Sequence, residues 1–213
     1  MIEFEHVTPA PLAGVTDFTS QIWNTSLQLV QGQNYLISAA SGKGKSTFTG
    51  IIYGLRSDYE GKILIKGQDV RQQKLAWWAE LRQQTISIVF QDLCLFLEFS
   101  AEENIRIKTQ LHANSISQEK IVAMAQHLGV AHLLQKKCAY LSYGERQRIA
   151  IIRALSQPFE YLLLDEPFSH LDEANIALAT QLIQAECKQR NAGWILTSLG
   201  DSYGLLYDNI LRL

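Results

Sequence analysis

A loop at residues 39–47, with the sequence AASGKGKST, carries the residue types that bind phosphate groups. Gly42 and Gly44 permit backbone conformations with positive φ, in which successive N–H groups point into one concavity that can hold an anion. The loop lies between two apolar runs, at 35–38 and 48–53, and this order predicts a strand, a tight loop and a helix. A helix that begins near Gly44 would direct its positive dipole end at the same anion.

Two side chains of this loop are predicted to complete a nucleotide site. Lys45 would reach the β and γ phosphates, and the Ser46 hydroxyl would bind Mg²⁺. Ala39 stands where the strict P-loop pattern has glycine, five residues before Gly44, and its methyl group is tolerable if that position needs no positive φ. The alternative interpretation is a glycine-rich turn with a solvated lysine. The predicted nucleotide-binding residues here are Ser41, Gly42, Lys43, Gly44, Lys45, Ser46 and Thr47.

Two further apolar segments end in polar residues that could serve the same site. The segment YLLLDEP at 161–167 predicts a buried parallel strand followed by Asp165 and Glu166. In a P-loop protein Asp165 would hold Mg²⁺ through its water shell, and Glu166 would polarise the water that attacks the γ-phosphate. The alternative is a solvated acidic turn. The segment TISIVF at 85–90 predicts another buried strand, and Gln91 follows it at the sheet edge where α/β proteins place ligands.

Composition restricts the class of protein. The chain of 213 residues is 47% hydrophobic and 19% charged, which indicates one folded α/β domain with an inserted lobe. A net charge of −2 argues against binding nucleic acid or anionic lipid by bulk electrostatics. Three widely separated cysteines indicate neither a zinc site nor a disulfide framework. Without an apolar stretch near the roughly 18 residues of a membrane span, we expect a cytoplasmic protein.

The remaining pattern predicts the elements that position these residues. Alternation at 2–7 and 26–30 indicates antiparallel strands, and 60–67 indicates another strand. Residues 69–84 should be mostly helical, with Trp77 and Trp78 as packing residues. Helical periodicity from 93 to about 155, with Ser117 as an N-cap, predicts a helical lobe at 92–155 beside a core formed by 1–91 and 156–213. A helix at 174–190 and strands at 194–198 and 207–213 complete a mainly parallel sheet around the P-loop.

The segment LSYGERQR at 141–148 places Ser142 and Gly144 at a helix N-terminus, which by itself fits either a second anion site or an ordinary capped helix. Its context is more specific. The order of P-loop, Gln91, LSYGERQR, LLLDEP and SHLD at 169–172 closely resembles the ATP-binding cassette family, in which these segments are Walker A, Q-loop, signature, Walker B and D-loop. The resemblance covers essentially the whole chain.

This resemblance implies a fold, an activity and partners. In the family two cassettes pair head to tail, and each ATP with its Mg²⁺ is held between the P-loop of one and the signature of the other. Ser142 and Gly144 would contact ATP in the partner's site, and Asp172 would lie across the interface. Gln91 would sense Mg²⁺ and the γ-phosphate. The family's activity is ATP hydrolysis that drives transport, with separate transmembrane permease subunits bound through the helical lobe at the inner face of the membrane.

Several residues depart from the family pattern. Leu199 stands where family members carry a switch histidine, and leucine cannot bond a γ-phosphate. The aromatic residue that stacks on adenine in the family has no clear equivalent in the early strands, and Phe18 is the candidate substitute. Tyr143 and Glu145 replace a glycine and a glutamine of the signature. The leading hypothesis is therefore an ATPase subunit of a transport complex, and the alternative is a nucleotide-gated dimerisation module with weak or no hydrolysis.

The subfamily prediction rests on 90–105, which most resembles the small stand-alone cassettes of lipoprotein-releasing, macrolide-efflux and cell-division complexes. A P-loop kinase of similar length would have no reason to carry LSYGERQR or the paired carboxylates after the LLLDEP strand.

Overall fold

The computed structural model describes residues 1–14, 20–40, 42–110 and 116–213. In chain order the strands are β1 (Ile2–Pro9), β2 (Ser26–Leu29), β3 (Tyr35–Ser38), β4 (Tyr59–Ile65), β5 (Gln68–Asp69), β6 (Ile86–Val89), β7 (Tyr161–Asp165), β8 (Gly193–Ser198) and β9 (Asn209–Arg212). The α-helices are α1 (Lys45–Ile52), α2 (Leu75–Gln84), α3 (Ala101–Thr109), α4 (Gln118–His127), α5 (Tyr143–Leu155) and α6 (Glu173–Arg190).

The strands form two sheets of different kinds. One has the order β2-β1-β4-β5 with antiparallel pairs, and the other has the order β6-β7-β8-β3-β9 with parallel pairs. Every residue of β6, β7 and β8 is buried, as expected for strands covered on both faces. The predicted fold class is confirmed: a mainly parallel α/β core, an antiparallel region at the N-terminus and inserted helices.

Parallel pairing brings the polar residues of the sequence motifs to one edge of the sheet. The P-loop follows β3, Gln91 follows β6, Glu166 follows β7 and Leu199 follows β8. Because all four strands run in the same direction, these segments lie together beyond the carboxyl ends of the strands. The sheet thus assembles a site from residues more than a hundred positions apart.

Among the described residues between β6 and β7, α3, α4 and α5 are the α-helices, and they lie in the segment predicted to form the lobe. Ser100, Ser117 and Ser142 cap them, each accepting a hydrogen bond from a backbone N–H of the first turn. The predicted buried face of α4, with Ile121 and the residues that follow it at helical spacing, is confirmed. The division between core and lobe at residues 92 and 155 stays a prediction.

The structure differs from the sequence-based expectation mainly at 69–84. Here a short 3₁₀ turn at Val70–Gln72 precedes α2, which begins only at Leu75. The Asp69 side chain accepts a hydrogen bond from the Arg71 N–H, a local bond that competes with continuous helix. Trp77 and Trp78 pack edge to face at 5.2 Å against the core, as predicted. In the described ranges no helix has both the length and the apolar character that crossing a membrane requires.

Candidate nucleotide-binding site

The loop before α1 has the backbone geometry that an anion site requires. Gly42 and Gly44 adopt φ values of 75° and 95°, and Gly44 is the N-cap residue of α1. Ala39 does not have a positive φ, so alanine replaces glycine there without backbone strain. The first turn of α1 therefore presents unpaired N–H groups at a cavity of about 300 Å³.

Lys45 lies almost fully buried at the centre of this site. Its Nζ donates to the carbonyl oxygens of Ala39 and Ala40 at 3.1 and 3.2 Å. The same ammonium group forms an ion pair with Glu166 Oε1 at 3.1 Å. All three donors of the ammonium group thus have acceptors, which is what a buried charge requires.

Glu166 is held in an unusual backbone conformation at the end of β7. Its φ is 47°, in the left-handed region that glycine favours, and its N–H donates to the Thr197 carbonyl at 3.2 Å. Residues in this region persist only where the surroundings hold them, and they concentrate at functional sites. The strand end thus aims the carboxylate into the cavity that Lys45 lines.

Asp165 occupies a different environment from its neighbour. It is buried, and its two carboxylate oxygens accept hydrogen bonds from the hydroxyls of Thr49 at 3.2 Å and Thr197 at 2.7 Å. Sequence reasoning missed both threonines, because their approach depends on α1 and β8 packing against β7. Asp165 is therefore held in place by two hydroxyl groups at the edge of the cavity. The Glu166 carboxylate has a single ion-pair partner, Lys45, and a ligand could displace it from that partner.

Three predicted Mg²⁺-binding residues lie together. Ser46 Oγ donates to Gln91 Oε1 at 3.4 Å, and both residues line one cavity of about 160 Å³ with Asp165. Hydroxyl, amide and carboxylate oxygens are the donor set of a hard cation. Because hydroxyl groups already bond both Asp165 oxygens, the geometry fits contact through the water shell of a cation.

The N-terminus of α5 has the structure of an ordinary capping box. Ser142 Oγ accepts from the Glu145 N–H at 3.3 Å, and the Ser142 N–H donates to the Glu145 carboxylate at 2.7 Å. This bond to the backbone N–H of Ser142 is the main cause that lowers the pKa of Glu145. Glu145, which differs from the family pattern, therefore stabilises the helix start from which Ser142 and Gly144 project.

Tyr143 links the signature to two other motifs, which sequence reasoning did not foresee. Its hydroxyl donates to the Gln91 carbonyl at 3.0 Å, and its ring lies 4.1 Å from the His170 ring. Gly144 is in close contact with the same segment, since a Cβ there would lie 2.9 Å from the His170 carbonyl oxygen. The Q-loop, signature and D-loop segments are thus in direct contact within one chain.

Arg153 supports the segment that follows Gln91 from the other end of α5. Its guanidinium donates to the carbonyl oxygens of Leu93 and Cys94, two residues with positive φ. Burial lowers the pKa of Arg153, although it stays charged near neutral pH. The helix that carries the signature therefore also fixes the backbone that carries Gln91.

The other predicted site residues have mixed positions. Thr47 lines the cavity, Lys43 is exposed, and Ser41 and Phe18 lie outside the described residues. Asp172 is the N-cap of α6, where its carboxylate accepts from the Asn175 N–H at 2.8 Å.

Two cavity residues had no role in the sequence analysis. Pro11 and Leu12 line the apolar side, and the Leu12 side chain lies 3.5 Å from the position of a Cβ on Gly44. The local sequence does not indicate that Pro11 and Leu12 belong to the site, because they lie next to the P-loop only in the folded chain. Leu199 also lines the cavity and is 65% exposed, so hydrocarbon occupies the place of a hydrogen-bond donor.

A parallel sheet with a glycine-rich loop, a buried lysine and a carboxylate pair at its carboxyl edge defines a P-loop nucleoside triphosphatase. Comparison with known proteins narrows the class. The family model described as ABC transporter matches residues 22–169. The chain belongs to this family and is one of its ATP-binding cassettes.

Relatives and solved structures agree with this assignment. The chain is 30% identical over 200 residues to the thiamine import ATP-binding protein ThiQ of Haemophilus ducreyi, covering 92% of this chain and 91% of that protein. It is 31% identical over 185 residues to the lipoprotein-releasing system ATP-binding protein LolD of Shewanella oneidensis, covering 85% and 80%. A structure of a dimeric bacterial ABC transporter cassette, MJ0796, superposes with a TM-score of 0.84 at 24% identity over 100% of this chain and 94% of that chain. This last likeness confirms the fold.

Substituting Lys45→Ala tests the site directly. The variant loses the buried ammonium group, and a charge-assisted bond to phosphate contributes on the order of 3 kcal/mol. We expect ATP affinity, measured by calorimetric titration, to fall at least about 100-fold. Lys74→Ala, at an exposed lysine before α2, is the matched control and should bind as the unsubstituted chain does. Equal affinity in both variants would refute the assignment of this cavity.

Proposed function

We propose that this chain is the ATP-hydrolysing subunit of a membrane transport complex. One observation carries the proposal: Lys45, Glu166 and Gln91 line a single cavity with the first turn of α1. The cavity has a volume of about 300 Å³, and its polar lining suits a polyphosphate chain. The family supplies the prior expectation, because its cassettes bind nucleotide.

Each residue has a role that its contacts support. Lys45 binds the β and γ phosphates by exchanging the acceptors that it has in this structure. Ser46, Gln91 and Asp165 would hold Mg²⁺, Asp165 through the water shell of the ion, and the bound ion would supply positive charge beside the phosphates. Glu166 accepts the proton of the attacking water, whose oxygen bonds to the γ-phosphorus as the bond to the bridging oxygen of ADP breaks.

The proposal includes a head-to-tail dimer in which each chain completes its partner's site. Ser142 is exposed at the capped start of α5, and Gly144 contacts the carbonyl oxygen of His170 in the D-loop segment that leads to the Asp172 cap. In a two-fold dimer each chain supplies both kinds of half-site: its P-loop forms part of one nucleotide site, and its signature forms part of the other. The dimeric MJ0796 cassette, which shares the fold, supports this arrangement.

An exposed apolar patch on the helical segment supports a membrane partner. The patch consists of Phe96, Leu97, Phe99 and Tyr140, which are 55, 45, 44 and 70% exposed. The rings of Phe96 and Phe99 stack at 5.3 Å, and backbone bonds join 97–99 to 138–139. A contiguous group of exposed aromatic rings marks an interaction surface. We assign it to an apolar cytoplasmic segment of a separate transmembrane chain, so the cassette acts at the inner face of the membrane.

One observation favours a second function, a nucleotide-gated dimerisation module that turns ATP over slowly or not at all. Leu199 projects into the cavity where the family pattern has a histidine, so the chain lacks one donor to the γ-phosphate within its own site. The ordered contacts of Lys45, Asp165 and Glu166 oppose this alternative, since a module that only binds ATP needs no carboxylate aimed at the phosphates.

The dimer is tested by Glu166→Gln, which keeps the shape of the side chain and removes the base. Because ATP then persists between the cassettes, we expect saturating MgATP to convert the variant from monomer to dimer in light scattering after size exclusion. Glu160→Gln is the matched control, because it makes the same chemical change at the opposite end of β7, where the carboxylate pairs with Lys66 away from the site. A Glu166→Gln variant that stays monomeric would remove the support for the head-to-tail model.

Hydrolysis is tested by steady-state phosphate release, with Glu166→Gln as the blank. We expect the unsubstituted chain to exceed the blank at least about 100-fold, the usual contribution of a general base. Leu199→His is measured beside it. Absence of turnover in the unsubstituted chain, with intact ATP binding and activity gained in Leu199→His, would contradict hydrolysis and favour the gated module.

The patch is tested by the double substitution Phe96→Ser and Phe99→Ser. We measure co-sedimentation with membranes of the source cells, before and after protease treatment of those membranes. Loss of two stacked anchors should weaken association at least about 30-fold, as expected for interface hot spots, and protease treatment should abolish the binding of the unsubstituted chain. Leu75→Ser removes an 87% exposed side chain of α2 and is the control. Equal binding by all three proteins would exclude the patch as the docking surface.

A further inference from the structure

We propose that His170 is a further catalytic residue, which contacts the γ-phosphate region of the partner's site and replaces the histidine that the chain lacks at Leu199. This inference rests on the proposed function, since it requires the head-to-tail dimer and hydrolysis. It assigns a role to a D-loop side chain from its contacts with the signature.

His170 is fixed to the signature by three separate contacts. Its carbonyl oxygen lies against Gly144, at 2.9 Å from the position of a Cβ there. Its ring packs on the Tyr143 ring with centroids 4.1 Å apart. Its N–H donates to Gln147 Oε1 at 3.2 Å. The imidazole therefore moves with Ser142 and Gly144, and the surface that approaches the partner's nucleotide includes this ring.

The ring presents a free nitrogen on this surface. His170 is exposed, and Nδ1 lies 2.9 Å from Ser169 Oγ. Nε2 makes no hydrogen bond to any residue in the described part of the chain. When the Ser169 hydroxyl donates to Nδ1, the ring proton resides on Nε2, which can then donate to a phosphate oxygen. This is the bond that Leu199 cannot make.

The other described histidines are less suited to this role. His6 Nδ1 lies 3.3 Å from the Asn24 carbonyl oxygen, and His127 Nε2 lies 3.0 Å from that of Leu178. His132 belongs to a 3₁₀ turn in the helical segment. Within the described ranges, His170 is the histidine whose ring contacts a signature residue.

Three substitutions separate hydrogen bonding from packing. His170→Phe keeps a ring on Tyr143 and removes both nitrogens. His170→Asn places an amide near the position of Nδ1, whereas His170→Gln places one near Nε2. We expect kcat to fall about 100-fold in the Phe and Asn variants, the usual effect of removing one donor to a transition-state oxygen, with KM little changed. His170→Gln should retain most of the activity.

Two comparisons control this experiment. His132→Asn removes an exposed imidazole in a 3₁₀ turn outside the signature and the D-loop segment and should leave turnover unchanged. Leu199→His, added to His170→Asn, supplies a donor from within the site and should restore turnover. A purely structural role for His170 predicts the opposite pattern, because His170→Phe would then be the mildest variant and Leu199→His would not rescue His170→Asn.

Differently tagged heterodimers test whether His170 acts across the interface. One heterodimer pairs a Lys45→Ala chain with a His170→Asn chain, which leaves one complete site if His170 serves its partner. The other pairs a chain carrying both substitutions with an unsubstituted chain, which leaves no complete site. Both contain the same two substitutions. We expect turnover in the first and not in the second.

The outcomes distinguish the two proposals. Absence of turnover by the unsubstituted chain would overturn hydrolysis and, with it, this role of His170. Normal turnover by His170→Asn would overturn only the role of His170 and leave the proposed function intact. Turnover confined to the second heterodimer would show that His170 acts within its own chain, which also contradicts the inference.

Discussion

The ion pair between Lys45 and Glu166 is the interaction around which the site is organised. The two groups lie 3.1 Å apart and are largely buried, so each depends on the other to offset the cost of lost hydration. Phosphate oxygens would compete with Glu166 for the ammonium group. In the proposed mechanism, nucleotide binding would therefore free the Glu166 carboxylate to act on water, so that capture of the nucleotide would also activate the base.

The parallel sheet makes this pairing possible. β3 and β7 are separated by β8 in the sheet, yet both end at the same edge. Asp165, two hydroxyls and the backbone of Glu166 form a rigid frame across β7, β8 and α1. Since the frame consists of short bonds from packed elements, the positions of the two carboxylates do not depend on flexible loops.

The contacts of Tyr143 and Arg153 extend this frame to the surface that we propose meets a second cassette. Both residues belong to α5, and they bond to backbone groups at Gln91 and at Leu93 and Cys94. A change at the γ-phosphate that shifts Gln91 would therefore reach the signature through a hydrogen bond. Phe96, Leu97 and Phe99 of the apolar patch follow Cys94 closely in the chain, and Tyr140 directly precedes the signature, so the patch is continuous with both ends of that linkage.

The sequence by itself determined the fold class, the phosphate loop and the order of the motifs. Apolar runs such as 161–164 define buried strands, and Gly42 and Gly44 define the loop, because these signals act over a few residues. The hydrogen bonds of Thr49 and Thr197 to Asp165 and the contact between Tyr143 and His170 depended on tertiary structure, because they join segments from 27 to 116 positions apart in the chain. Spacing predicts which residues reach a site, whereas packing decides which of them touch.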